Sequence, residues 1–251
     1  MLSAVVITYN AEIDIANCLQ SLTFADEIIV LDSFSTDRTL EIARQFTDKV
    51  SSREFTGFSN QWNAAIDLAQ HEWILMVGAD EVLTDGLISE IQYAVEKGAC
   101  DGYRMPRLTY FLNRPIRGCG WYPDYQLRLA RKSKFRIPHR LVHETMEIDG
   151  KCGTLKNDII HFSYRSLGEY VRKMSLYARS AAEQKQLEGR KFHITDLLFT
   201  PGLTFLKMYI LKQGFRDGLH GFILCALTQC SVFLRYAMLW EMTMRSKESK
   251  E

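Results

Sequence analysis

Trp73-Ile-Leu-Met-Val-Gly-Ala-Asp80-Glu81 is an apolar run that stops abruptly at two carboxylates. Six residues of this kind, bounded by polar chain, read as a strand buried on both faces. The C-terminal edge of such a strand is where open α/β sheets hold their ligands. Two acidic residues at that edge suit a hard divalent cation that bridges to phosphate oxygens. A solvated turn after an ordinary strand is the alternative, so the rest of the chain decides.

Upstream, the same strand-then-polar pattern recurs. Leu2 to Thr8 reads as a first strand, and Glu12 to Ser21 as a helix with Ile13, Ala16, Leu19 and Leu22 on one face. Glu27 to Leu31 is a second strand. Ser35-Thr-Asp-Arg-Thr39 opens a second helix with residues that cap well. Lys49 to Ser52 is a third strand and Phe58 to Ala69 a third helix. Alternation at this spacing predicts a mostly parallel, doubly wound sheet. Thr8, Tyr9 and Asn10 then follow the first strand, Asp32 and Ser33 the second, and Asp80 and Glu81 the fourth, all facing one crevice. There Asp32 offers a carboxylate to the donors of a nucleotide, and Tyr9 a ring on which a base can stack. Singly each is an ordinary cap or turn residue; together they favour a nucleotide site. No GxGxxG or GxxxxGK[ST] occurs, which argues against dinucleotide dehydrogenases and P-loop NTPases.

After Asp101 the periodicity gives way to short aromatic and basic segments, the expected form of an acceptor-binding region. From Arg104 to Arg140 there are ten Lys or Arg residues and one acidic residue, Asp124. Nearby cations favour the ionised form of a carboxyl. Asp124 therefore serves either as a general base beside a sugar hydroxyl or as a structural partner of Arg128. Val142-His143-Glu144 follows, adding an imidazole able to bind metal and a second candidate base.

With 251 residues and 47% hydrophobic content, the chain can bury one large domain or a domain plus an appendage. Its six cysteines show no metal spacing and read as reduced thiols. The N-terminus lacks a basic region and a cleavage site and reads as a strand, not a signal peptide. The net charge of +1 conceals an asymmetry: residues 1–150 carry 15 Lys+Arg against 21 Asp+Glu, and residues 151–251 carry 16 against 9. A basic C-terminal portion suggests an anionic partner such as a membrane surface, with a solvated helix face as the alternative. Nucleic acid is not expected. Tyr164 to Lys185 reads as a basic helix bearing Leu167, Tyr170, Val171, Met174, Tyr177 and Ala178, packed on the catalytic domain. Leu203–Leu211 and Gly221–Leu234 are strongly apolar with basic flanks. Their charge-free runs are shorter than the ~20 residues of a spanning helix, so they read as lying on an anionic leaflet. Core helices of a helical subdomain, or an oligomer interface, are the alternative.

Val6-Ile-Thr-Tyr-Asn10, Asp26 to Thr39, Gly78-Ala-Asp80-Glu81, Gly120-Trp-Tyr-Pro-Asp124 to Leu129 and Val142-His-Glu144 occur in the order seen in family 2 glycosyltransferases. More narrowly, the chain resembles bacterial lipopolysaccharide-core β-1,4-glucosyltransferases acting on the first inner-core heptose. That resemblance continues through Gly214-Phe-Arg-Asp217-Gly and Phe233 to Glu241. It implies a GT-A fold, with a catalytic domain over 1–162 and a membrane-associating helical extension over 163–251. Within the catalytic domain, residues 1–100 would bind the nucleotide sugar and residues 101–162 the acceptor. The resemblance further implies a nucleotide-sugar donor, usually UDP-linked, a lipid-linked saccharide acceptor, Mg²⁺ or Mn²⁺, and inversion at the anomeric carbon. The donor contacts expected on this basis are Thr8, Tyr9, Asn10, Glu12, Asp32, Gln61, Asn63, Ala79, Asp80 and Arg128. Asp80 and His143 would hold the metal, and Asp124 would be the base, with Glu144 in reserve. The implied location is cytoplasmic, on the inner face of the bacterial inner membrane, with oligomers possible. Two departures stand out: Gly78 replaces the first Asp of the usual Asp-Ala-Asp-Glu, and Trp62 replaces the Lys of Gln-Lys-Asn. Those departures leave open a weaker metal site, a changed donor preference or reduced activity. A non-catalytic nucleotide-sugar-binding scaffold with Gly78 marking lost catalysis, and transfer to another cell-surface glycan, are the alternative readings.

Overall fold

A computed structural model of the chain describes residues 1–138 and 146–248, which form two compact units. The first comprises 1–108 and 124–162, the second 109–123 and 163–251.

In the first unit, β1 (Leu2–Thr8) pairs in parallel with β2 (Glu27–Asp32) and with β4 (Trp73–Gly78). The short β3 (Val50–Ser52) lies parallel beyond β2. Alternate residues of these strands go to opposite faces, as the pleat requires. Ala4, Val6, Val30, Leu75 and Val77 meet α1 (Ile15–Gln20) and α4 (Asp85–Lys97). Val5, Ile29, Leu31, Ile74 and Met76 meet α3 (Phe58–Asp67). Helices on both faces explain why these strands are unbroken apolar runs.

Two boundaries differ from expectation. The first helix starts at Ile15, three residues late, after a turn in which Ala11 O accepts from both Asp14 N–H and Ile15 N–H. Ile13, expected on the buried face, is exposed. The second helix, α2 (Thr39–Ala43), is short.

Beyond Asp101 the chain is more regular than its sequence suggests. After β5 (Glu81–Leu83) comes β6 (Gly102–Phe111), a ten-residue strand whose N-terminal half pairs antiparallel with β8 (Asp124–Arg131). β8 in turn pairs antiparallel with β4. Between β6 and β8 runs β7 (Arg114–Pro115). Two short strands, β9 (Phe135–Arg136) and β10 (Glu147–Ile148), pair with each other, and β11 (Cys152–Thr154) runs beside β6. β12 (Ile159–Tyr164) pairs antiparallel with β5. Along the sheet the order is β3-β2-β1-β4-β8-β6-β12-β5.

The second unit is helical. α5 (Leu167–Leu187) is capped by Ser166, whose hydroxyl accepts from Glu169 N–H. Its buried stripe is Tyr170, Met174, Ala178 and Ala182, while Leu167, Val171 and Tyr177 are exposed rather than packed. α6 (Ile194–Leu206) continues through a π-helical turn, Lys207–Leu211, into a tight bend and then α7 (Gly218–Glu248). Two segments, Ile194–Leu211 and Gly214–Arg245, are long and apolar enough to cross a membrane on length and composition.

Candidate active site

Parallel pairing brings Thr8 opposite Asp32 and Ile7 opposite Gly78, so the three polar strand ends share one edge. The loops beyond them are latched together. Asn10 N–H donates to Ser35 Oγ and its Oδ1 accepts from Thr36 N–H, both at 2.8 Å. Glu12 Oε2 accepts from Arg38 N–H. Asn10 and Phe34 both have positive φ, 47° and 61°. Phe34 is the costlier, since a bulky side chain rarely takes that conformation. Asp32 is fully buried and accepts from Ser35 through both carboxylate oxygens. Tyr9 projects into solvent, 61% exposed. Gln61 is buried, with Nε2 donating to Ser33 Oγ at 3.1 Å. Its Oε1, like the buried Thr8 Oγ1, has no protein partner. Unpaired buried acceptors at a ligand edge are what a bound donor group would satisfy. Asn63 instead donates to Ile137 O at 3.0 Å, and Ala79 is buried beside the acidic pair.

The two carboxylates at the end of β4 have opposite environments. Asp80 has a side chain 42% exposed, with Oδ2 3.2 Å from His161 Nε2. Glu81 is 1% exposed and surrounded by donors. Gly78 N–H donates to its Oε2 at 2.8 Å, and Arg128 Nη2 and Arg107 Nη1 reach its Oε1 at 2.9 and 3.3 Å. Burial alone would raise the Glu81 carboxyl; Arg128, His161 and Arg107 outweigh it and hold the group below the ordinary carboxylate range. Arg107 then turns to Asp124, with Nη2 and Nε at 2.6 and 3.0 Å from Oδ2. Gln126 Nε2 donates to the other oxygen at 2.7 Å. The partner considered for Asp124 from sequence was Arg128. Four residues along a strand span about 13 Å, so that pairing is out of reach. The cation comes from across the β6–β8 ladder instead, where Arg107 lies opposite Asp124.

The two departures have local accounts. A Cβ at Gly78 would sit 3.0 Å from Asp80 Oδ1 and 3.4 Å from the Glu81 carboxylate, so the absence of a side chain lets Glu81 fold back onto the strand end. Trp62 is buried, and the Arg128 guanidinium lies 5.7 Å from its ring centroid. An aromatic face there accommodates a cation that a lysine would repel.

A sequence model for glycosyl transferase family 2 matches residues 3–161, the whole stretch that carries these groups. The chain belongs to that family. The glycosyltransferase is 28% identical to the lipopolysaccharide core biosynthesis glycosyltransferase LpsC of Rhizobium meliloti, over 96% of this chain and 92% of LpsC. It is 27% identical to an uncharacterized glycosyltransferase of Rickettsia typhi, over 98% and 89%. Among solved structures, S. aureus TarS 1-349 in complex with UDP-GlcNAc superposes with a TM-score of 0.50 at 16% identity, covering 94% of this chain and 91% of that one. That likeness establishes the GT-A fold of the glycosyltransferase.

His143 and Glu144 lie outside the described residues. Nothing in the sequence alone singles out His161 or Arg107. A lone His in the run Ile159-Ile-His-Phe carries no spacing signal, and Arg107 was one of ten cations. Only strand pairing, which sets His161 opposite Glu81, brings them to the site. Among the described residues no three His, Cys, Asp or Glu side chains converge as a complete metal cage. Asp80 nonetheless offers the carboxylate oxygen that suits Mg²⁺ or Mn²⁺ when phosphate oxygens and water supply the remainder, and His161 Nε2 beside it is a nitrogen that Mn²⁺ accepts more readily than the harder Mg²⁺.

Proposed function

We propose that this glycosyltransferase moves glucose from UDP-glucose to the first heptose of a lipopolysaccharide inner core, with inversion. The acceptor class follows the name and near-full-length similarity of LpsC. A UDP-linked donor agrees with the ligand of the TarS complex and with the unpaired acceptors of Gln61 and Thr8. The observation that carries a catalytic rather than a scaffold role is the Glu81–Arg107–Asp124 chain of contacts. It fixes a solvent-accessible carboxylate beside the edge that bears Asp80. A degenerate binding protein has no need of it.

In this reading Asp124 accepts the proton of the acceptor hydroxyl as its oxygen attacks the anomeric carbon, and the bond to the diphosphate breaks on the opposite face. Arg107 holds Asp124 in position through Nε and Nη2 without entering the reaction. Asp80 and His161 would hold a divalent ion, which when bound would supply positive charge for the departing diphosphate in place of a leaving-group acid. Thr8, Asn10 and Gln61 hold the nucleotide, Asp32 fixes the Ser35 loop that frames it, and Tyr9 stacks on the base. The lipid-linked acceptor places the enzyme at the cytoplasmic face of a bacterial inner membrane, on an anionic surface.

The test is a pair of variants assayed for acceptor-dependent UDP release. Asp124→Asn keeps the shape of the site and should lower turnover about 10²-fold or more with donor binding retained. Asp80→Ala should abolish metal-dependent release with an unchanged circular dichroism spectrum. Near wild-type turnover in Asp124→Asn, with the loss seen in Glu144→Gln instead, would move the base to Glu144.

A further inference from the structure

Within the helical unit, α6 and the bend that follows it present an apolar face with none of the described residues packed over it. Leu198, Leu203, Leu206 and Ile210 are each half or more exposed, at spacings of three to five residues that keep them on one side of the helix. At the bend Leu211, Phe215 and Leu219 are 53–75% exposed. Residues 197–216 contain three cations, Lys207, Lys212 and Arg216, and no acidic residue. All three cations are exposed. Seven large apolar side chains left exposed in one stretch mark a surface that meets a partner or a membrane.

We propose that this face docks side-on into an anionic bilayer surface, without spanning it; the inference rests on the membrane-surface reading above and specifies its site and mode. Charge complementarity selects the occupant: apolar side chains interleaved with cations match the boundary between acyl chains and anionic headgroups. Composition alone would allow two segments to span, α6 with its π-helical turn and α7. The first has 18 residues and includes Asp196 and Lys207, short of the ~20 apolar residues a spanning helix needs, and packing excludes the second. Over its middle, from Leu224 to Leu239, α7 is packed against α5. Tyr170 OH lies 3.4 Å from Thr228 Oγ1, Ala182 packs with Val232, Tyr236 and Leu239, and Lys185 Nζ sits over the Tyr236 ring. α5 carries Arg172, Arg179 and Glu183 exposed on its outer side, over about 17 Å of helix. Hydrocarbon would strand those charges. The bend is likewise fixed to polar backbone, since Asp217 accepts from Arg117 N–H and Gly118 N–H at 3.0 and 2.7 Å. α6 is left as the face that meets lipid.

The experiment is co-flotation of the full chain with vesicles of phosphatidylglycerol and phosphatidylcholine, compared with phosphatidylcholine alone. No donor or acceptor is present, so the result is independent of transferase activity. Binding should require phosphatidylglycerol, weaken with salt and be released by alkaline extraction. The triple variant Leu203→Ser, Leu206→Ser, Ile210→Ser alters exposed positions only and should bind at least about tenfold more weakly. Leu176→Ser on α5, equally exposed, should bind as wild type. Resistance to alkaline extraction would overturn the proposal in favour of a spanning helix. Absence of vesicle binding, with a dimer that the triple variant dissociates, would assign the face to a second copy of the chain. UDP release with a delipidated, soluble acceptor should persist in the triple variant; its loss in both proteins would instead count against the transferase reading.

Discussion

Glu81 and Asp80 are chemically alike and adjacent, yet only one is available to a ligand. Glu81 is saturated by Gly78 N–H, Arg128 and Arg107, whereas Asp80 faces out beside His161. Removing the Glu81 charge would leave Arg128, itself 7% exposed, without its carboxylate. Glu81→Gln should therefore cost about 3–5 kcal/mol of stability, measured by chemical denaturation. Arg107→Gln should act differently. It frees Asp124 to sample other rotamers, so kcat should fall by about tenfold or more while KM for the donor changes little, and Arg107→Lys should recover only some of the loss. A KM effect alone would make Arg107 a donor contact. At this scale the sequence displayed the carboxylates plainly, because an apolar run ending in Asp-Glu is a local pattern. It concealed their partners, because Arg107 and His161 reach them only through pairing across strands.

Elements were legible where burial on both faces makes a strand a continuous apolar run. β1, β2 and β4 were evident, and so were α3 and the Ser166-capped α5. β6 and β8 were not. β6 is interrupted by Arg104, Pro106 and Arg107 and reads as irregular chain, although its alternating burial is that of an antiparallel strand. The opposite, N-terminal end of the sheet carries a buried acid of its own. Burial would raise the Glu27 carboxyl, but Lys49 Nζ, Ser3 Oγ and Gln70 N–H all donate to it and bring it down to about 2. A carboxyl depressed in the fold contributes stability above its unfolded value, and that contribution is lost as pH falls from about 4.5 towards 2. Wild type should thus lose stability through this range, and Glu27→Gln should be less stable at neutral pH with a flatter acid limb. Equal slopes in the two proteins would remove Glu27 from the acid transition.

For the whole molecule, the donor edge gathers loops that follow β1, β2 and β4, so occupying it should stabilise the first unit as a body. UDP at about 100 times its dissociation constant, with Mn²⁺, should add about 2.7 kcal/mol and raise Tm accordingly. Chelating the metal, or Asp80→Ala, should remove most of that gain and leave the ligand-free Tm unchanged. The C-terminal helices were legible as apolar, but composition could not separate spanning from lying flat. That distinction depends on which helix α7 packs against, and α5 bears exposed charge.

The sheet's outermost strands, β3 and β5, have three residues each, and β3 is flanked by Lys49, Arg53 and Glu54. Three residues offer too short a row of free N–H and C=O groups to template another strand, and flanking charge discourages the attempt. Any crowded protein solution holds extended chains that would add to an open edge. This sheet gives them little to grip, so despite its long parallel core the protein should resist edge-to-edge polymerisation and strand capture.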